Sequence, residues 1–200
     1  MHRLEDRGVE PVDAEFSPWW PSDIAVRADG GAWVTDLAHD LIVTYSPSSG
    51  ASLALQLPEG TDPFDVAEDV ARERLYWLAS GSLWSASIAD GLLGEPTLIH
   101  DPIDDAPSGL ARDVCGNYYL LGRDPAVQDG FDRRLVRLEL DEAGAVVDRE
   151  VPLLEYGEVS SEDERLRFGR GFGSGLDLSL FTQSRDGEVL VIGVGVGGAG

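Results

Sequence analysis

The stretch Pro21-Ser22-Asp23-Ile24-Ala25-Val26-Arg27-Ala28-Asp29-Gly30-Gly31-Ala32-Trp33-Val34-Thr35-Asp36 decides the fold. It reads as two short strands about a tight turn. Ile24-Ala25-Val26 and the β-branched and aromatic Trp33-Val34-Thr35 suit a pleated surface, and the glycines between them supply the positive φ a hairpin needs. Its opening recurs as Pro63-Phe64-Asp65-Val66-Ala67-Glu68, as Pro107-Ser108-Gly109-Leu110-Ala111-Arg112, and more faintly as Gly173-Ser174-Gly175-Leu176-Asp177. The starts at 21, 63, 107 and 173 lie 42, 44 and 66 residues apart. The first two spacings fall in the range of about 40–50 residues seen for propeller blades.

Each unit carries further strands. After Trp33 come Leu41-Ile42-Val43-Thr44-Tyr45 and Leu53-Ala54-Leu55-Gln56-Leu57. The second unit has Arg74-Leu75-Tyr76-Trp77-Leu78, Ser82-Leu83-Trp84-Ser85-Ala86 and Pro96-Thr97-Leu98-Ile99, with a turn at Asp90-Gly91. The third has Asn117-Tyr118-Tyr119-Leu120-Leu121, Arg134-Leu135-Val136-Arg137-Leu138 and Ala145-Val146-Val147. In the fourth, a strand from Leu176 to Phe181 turns at Arg185-Asp186-Gly187 into Glu188-Val189-Leu190-Val191-Ile192. Four strands per unit predict an all-β propeller of four-stranded antiparallel blades, because a blade buries its two faces only against neighbours around an axis. A β-sandwich also has short, regularly spaced strands, but it has no need of this self-similarity. The expected organisation is an N-terminal segment (1–20), blades at 21–62, 63–106 and 107–172 (the last with an insertion), and an incomplete blade at 173–200. That makes about three and a half blades. Three completions are open: a longer chain, closure through the segment Val9 to Phe16, or assembly of two chains through an open blade edge.

The wording of the repeat resembles the NHL and streptogramin-lyase blade, and Leu75-Tyr76-Trp77 is similar to the YWTD blade and to gluconolactonase–regucalcin proteins. The likeness covers about residues 20–150. It implies a six-bladed type of propeller, and among its activities a calcium-dependent lactonase or a lyase. Blade type identifies architecture and leaves activity open.

Composition narrows the partners. The 200 residues carry 37 acidic and 15 basic side chains, a net charge of −22, and every basic residue is arginine. Such a surface repels phosphate backbones and anionic lipid, so neither nucleic acid nor a membrane is the expected partner. A protein or small molecule is. The acidity fits adaptation to high salt, and equally an arginine-biased genome with an acidic surface. No stretch approaches the roughly 20 apolar residues that span a bilayer. The chain opens on charge rather than an apolar run, which sets the cytoplasm as the expected compartment. Cys115 is the single cysteine, so neither an internal disulfide nor a cysteine-rich zinc site is expected.

Propellers bind ligands on loops at one mouth of the channel. The repeat places Asp23 and Asp65 at matching inner-strand positions, and two carboxylates with backbone carbonyls are the oxygen environment Ca²⁺ prefers. The same carboxylates suit turn caps or acceptors of backbone N–H groups. Glu15 would stand in for the glutamate that gluconolactonase–regucalcin metal sites use, although their asparagines are not matched here. His39, flanked by carboxylates in Asp36-Leu37-Ala38-His39-Asp40, is the one histidine suited to act as a base, as the lyase resemblance requires. Asp36, His39, Arg123 and Asp124, at second-strand ends, are the expected ligand-binding residues. Gly173-Ser174-Gly175 lacks a strand-to-helix elbow, and Gly169-Arg170-Gly171 lacks the strand–helix setting of a phosphate loop. Trp19-Trp20 is expected to pack between blades.

Overall fold

The computed structural model describes residues 20–27, 29–100, 109–112, 116–123, 133–156, 165–170, 178–183 and 189–194. These form sixteen strands in four antiparallel sheets, each a blade. Blade 1 is β1 (Pro21–Val26), β2 (Ala32–Asp36), β3 (Leu41–Ser46) and β4 (Gly50–Gln56) in simple up-and-down order. Blade 2 is β5 (Pro63–Asp69), β6 (Arg74–Ala79) and β7 (Ser82–Ala89), with β7 pairing both the short β8 (Leu92–Leu93) and the outer β9 (Thr97–His100). Blade 3 is β10 (Gly109–Arg112), β11 (Tyr118–Arg123), β12 (Arg133–Leu140) and β13 (Val146–Tyr156). The fourth sheet is β14 (Arg165–Arg170), β15 (Leu178–Gln183) and β16 (Val189–Val194).

The innermost strands β1, β5, β10 and β14 are successive neighbours about the axis. Turn chemistry sets the corners. Asp90 and Gly91 both take positive φ (52° and 76°), as a type I′ hairpin requires, and Ser80-Gly81 repeats the pattern (49° and 76°).

The start of the fourth blade differs from the sequence reading. The fourth blade starts at Arg165, inside the stretch assigned to an insertion, so Leu178–Gln183 is its middle strand rather than its first. Arg165-Leu166-Arg167-Phe168-Gly169-Arg170 alternates polar and apolar as a strand does, but it lacks the Pro-x-Asp opening. The second-strand tryptophans Trp33 and Trp77 occupy different register positions in their blades. Pro21 pairs with Asp36 and Pro63 with Ala79, which sets Trp33 level with Tyr76 and Val34 level with Trp77. A one-residue slip exchanges the faces of a strand. Trp33 therefore faces forward onto blade 2, whereas Trp77 faces back onto blade 1.

Both faces of blade 2 are buried. Trp33, Ile42, Val66, Leu75, Trp77 and Ala86 pack between blades 1 and 2. Tyr76, Leu78, Leu110, Tyr118, Leu120 and Leu138 pack between blades 2 and 3. The Tyr76 and Tyr118 rings, one from each blade, lie 4.6 Å apart and tilted by 48°, a geometry worth about 0.5–1.5 kcal/mol beyond area burial.

Candidate functional site

Strand starts and second-strand ends share one rim of the arc, because Pro21 pairs with Asp36 across the first hairpin. At this rim Asp36 closes β2, fully buried. One carboxylate oxygen accepts the N–H groups of Ala38 (3.1 Å) and His39 (3.2 Å), forming the β2–β3 turn, and also meets the His39 ring Nδ1 at 2.9 Å. The other accepts the N–H of Trp20 at 3.2 Å, and the Trp20 carbonyl accepts the N–H of Leu37. One aspartate thus fixes both the His39 ring and the backbone of Trp20. The Trp20 residue is 66% exposed and the His39 side chain 33%. Trp20 presents its ring to solvent, contrary to the expected packing between blades, while Trp19 lies outside the described residues. Beside this turn Asp40 accepts the N–H groups of Gly60 (2.8 Å) and Asp62 (2.7 Å), so the blade 1–blade 2 connection is held to the same loop.

Asp36 and His39, expected together, are brought together. Arg123 ends β11 at the same rim two blades away, with its backbone paired to Arg133. Asp124 and Glu15 lie outside the described residues.

Asp23 and Asp65 serve the blade seams. The Asp23 carboxylate accepts the N–H of Val66 at 3.0 Å, and the Asp65 carboxylate accepts the N–H of Leu110 at 2.8 Å. Each repeat aspartate therefore reaches across to the inner strand of the next blade. Among the described residues, no three His, Cys, Asp or Glu side chains cluster as a metal site would require. Other seam bonds join in: Ser22 Oγ donates to the Pro63 carbonyl (2.9 Å), Thr35 Oγ1 to the Phe64 carbonyl (3.0 Å), and Trp33 Nε1 to Glu68 (2.9 Å). The Arg27 guanidinium lies 4.8 Å over the Trp33 ring, a cation–π contact. The inner strands β1, β5 and β10 line an open pocket of about 460 Å³, whose polar lining includes Asp23, Glu68 and Arg112.

The opposite rim holds a cluster the sequence did not disclose. Asp69, fully buried, ends β5. It meets Arg72 at 2.7 Å, Arg112 of blade 3 at 2.9 Å and the Tyr118 hydroxyl at 3.3 Å. Arg72 also donates to the carbonyls of Leu140 and Asp141, each at 2.8 Å. Burial works against the Asp69 charge, but the Arg72 hydrogen bond and the Arg112 charge outweigh it and hold the carboxyl below its ordinary range. Burial, with Asp69 nearby, pushes the Tyr118 hydroxyl far above its ordinary range. The cluster is a clamp between blades 2 and 3.

Antiparallel up-and-down sheets of three to five strands stacked about an axis, with a loop-built rim, define a β-propeller. Comparison with solved structures agrees. The chain superposes on a streptogramin B lyase (TM-score 0.59, 14% identity, 94% of this chain and 59% of that one). It superposes likewise on a gluconolactonase from Xanthomonas campestris (0.60, 16%, 87% and 57%). A third match is in a nidogen/laminin complex (0.58, 17%, 86% and 64%). The chain spans less than two thirds of each, and at these identities the likeness is one of fold. No protein-family model matches the chain, and no curated protein does.

Proposed function

We propose that this chain is a non-enzymatic recognition propeller, reading a protein or small-molecule partner at the rim built on Asp36. The carrying observation is Trp20: the residue is 66% exposed while its backbone N–H and C=O are both tied to the β2–β3 turn. A large aromatic surface held in place beforehand loses little entropy on binding, which is why such residues dominate binding energy. His39 beside it adds a polar contact. The carboxylates considered for a metal are bonded across blade seams, which supports recognition over a calcium-dependent lactonase. Selection of a displayed peptide library against the chain tests the reading. Binders should lose at least about tenfold in affinity on Trp20→Ala, equivalent to ~1.4 kcal/mol, and much less on Leu98→Ala at the outer strand of blade 2. Binders indifferent to Trp20→Ala overturn it.

The Asp36–His39 pair favours a second reading, a lyase. An imidazole oriented through Nδ1 by a buried carboxylate can take a proton at its other nitrogen. Elimination activity on a cyclic ester, abolished by His39→Ala but not by Trp20→Ala, would establish this reading in place of the first.

A further inference from the structure

The two rims of blades 1 and 2 hold charge differently. Among the described residues, the arginines of these blades (Arg27, Arg72 and Arg74) all lie at or beside strand ends on the rim opposite Trp20. Each is engaged there. Arg27 pairs with Asp29 and lies over Trp33, Arg72 pairs with Asp69, and Arg74 donates to Ser85 Oγ. On the Trp20 rim the described charged side chains of these blades are Asp36, Asp40, Glu59 and Asp62, and the other titratable groups are His39 and His100. Asp36 and Asp40 are buried and hold backbone N–H groups, whereas Glu59 and Asp62 are exposed. The loop that carries Glu59 and Asp62 lies against the chain that leads out of Trp20. Ser22 Oγ donates to the Pro63 carbonyl at 2.9 Å, and Asp40, next to the Asp36 turn, holds Gly60 and Asp62. Exposed Pro21 and Ala38 extend the apolar surface around Trp20.

A field of carboxylates without a base attracts any cation, so the acids alone locate nothing. Trp20 does, because its backbone is fixed at both the N–H and the C=O. We propose that the partner read at this rim is a basic peptide segment, with an arginine or lysine side chain laid over the Trp20 ring and Glu59 and Asp62 meeting the charges beside it. This rests on the recognition reading above and names the chemistry of its partner. Indole is the aromatic ring that attracts a cation best. A guanidinium is planar and weakly hydrated, so it stacks on such a ring at small desolvation cost. The surrounding acids add electrostatic complementarity, which speeds encounter and rejects acidic partners. At 66% exposure Trp20 is presented on a surface rather than enclosed, which suits a segment of a protein more than a small molecule in a cavity.

Fluorescence anisotropy on the full chain tests this, with a labelled peptide of alternating arginine and glycine as probe and its glutamate counterpart as control. At about 0.1 M NaCl the arginine peptide binds and the glutamate peptide does not. Trp20→Ala weakens binding by at least about fivefold, and Trp20→Phe by less, because a ring remains. The double variant Glu59→Gln with Asp62→Asn weakens it by at least about threefold. Glu142→Gln, an exposed acid on the opposite rim, leaves it unchanged. Circular dichroism confirms that each variant keeps its β signature. An arginine peptide that fails to bind, binds no better than the glutamate peptide, ignores Trp20→Ala, or is weakened as much by Glu142→Gln overturns the proposal. The peptide-library selection separates the two readings. Trp20-dependent binders without an excess of arginine and lysine overturn this inference and leave the recognition reading standing, whereas binders indifferent to Trp20 overturn both.

Discussion

Replacing Asp65 by alanine removes the carboxylate that joins blade 2 to blade 3. Asp65 is fully buried and accepts the Leu110 N–H at 2.8 Å, in a seam flanked by Val66 and Leu110. Two effects act together. A hydrogen bond to a charged group contributes about 1.5–3 kcal/mol, and the Leu110 N–H left without a partner costs about 1–3 kcal/mol of desolvation. These describe the same lost bond from two sides, so the expected destabilisation is about 2–3 kcal/mol rather than their sum. For a chain of this size each kcal/mol moves Tm by about 2–4 °C, giving a fall of roughly 4–12 °C by calorimetry or circular dichroism. Asp65→Asn keeps a carbonyl oxygen to accept the N–H and loses only the charge, so it should fall by about half as much. The contrast between the two variants is the informative part, because a metal ligand would fail in both. An Asp65→Ala protein melting within about 1 °C of wild type refutes the staple reasoning.

The remaining expectations concern charge, space and metal. Asp69 has a folded-state pKa below its ordinary value of 3.8, so its contribution is present above about pH 4 and is lost as pH falls through the lowered value. The stability gap between wild type and Asp69→Asn, measured by urea unfolding, should therefore be wide at pH 7 and close below about pH 4; a gap constant with pH contradicts this. Gly144→Ala should cost about 1–3 kcal/mol, because Gly144 has φ +86° and an added Cβ would lie 2.5 Å from the Tyr76 hydroxyl. A melt unchanged by that substitution would show the contact to be slack. Millimolar Ca²⁺ should leave Tm unchanged, since ligands that bind only the folded state raise it by mass action and Asp23 and Asp65 already hold backbone amides. A rise of several degrees would return these carboxylates to metal binding.

The blades were legible because their signal is periodic. The Pro-x-Asp opening recurs after 42 residues, and as Pro-x-Gly after a further 44, with glycine turns between, and the first two blades keep the expected strand order. Legibility failed where the repeat wording lapsed. β14 has strand alternation but no proline or aspartate, and its arginines beside Glu162 to Glu164 gave it the composition of a loop. Register was the subtler loss. Aligning Trp33 with Trp77 follows residue identity, while the ladder pairs Pro63 with Ala79 and shifts β6 by one residue. The contact between Asp36 and His39 was legible because the two are three residues apart within one turn. The Asp69 cluster was not, since Arg112 and Tyr118 lie 43 and 49 residues away and only blade stacking brings them in. Asp23 and Asp65 were correctly placed at matching positions, but spacing alone could not distinguish a metal between them from an amide beyond each.

Amide hydrogen exchange on Val66 and Leu110 tests most directly the claim that the repeat aspartates bind one blade to the next. Asp23→Ala should strip protection selectively from the Val66 N–H while leaving that of Leu110, and Asp65→Ala should do the reverse, because each carboxylate holds one amide across one seam. Protection lost equally at both amides in either variant, or retained at both, would contradict the account.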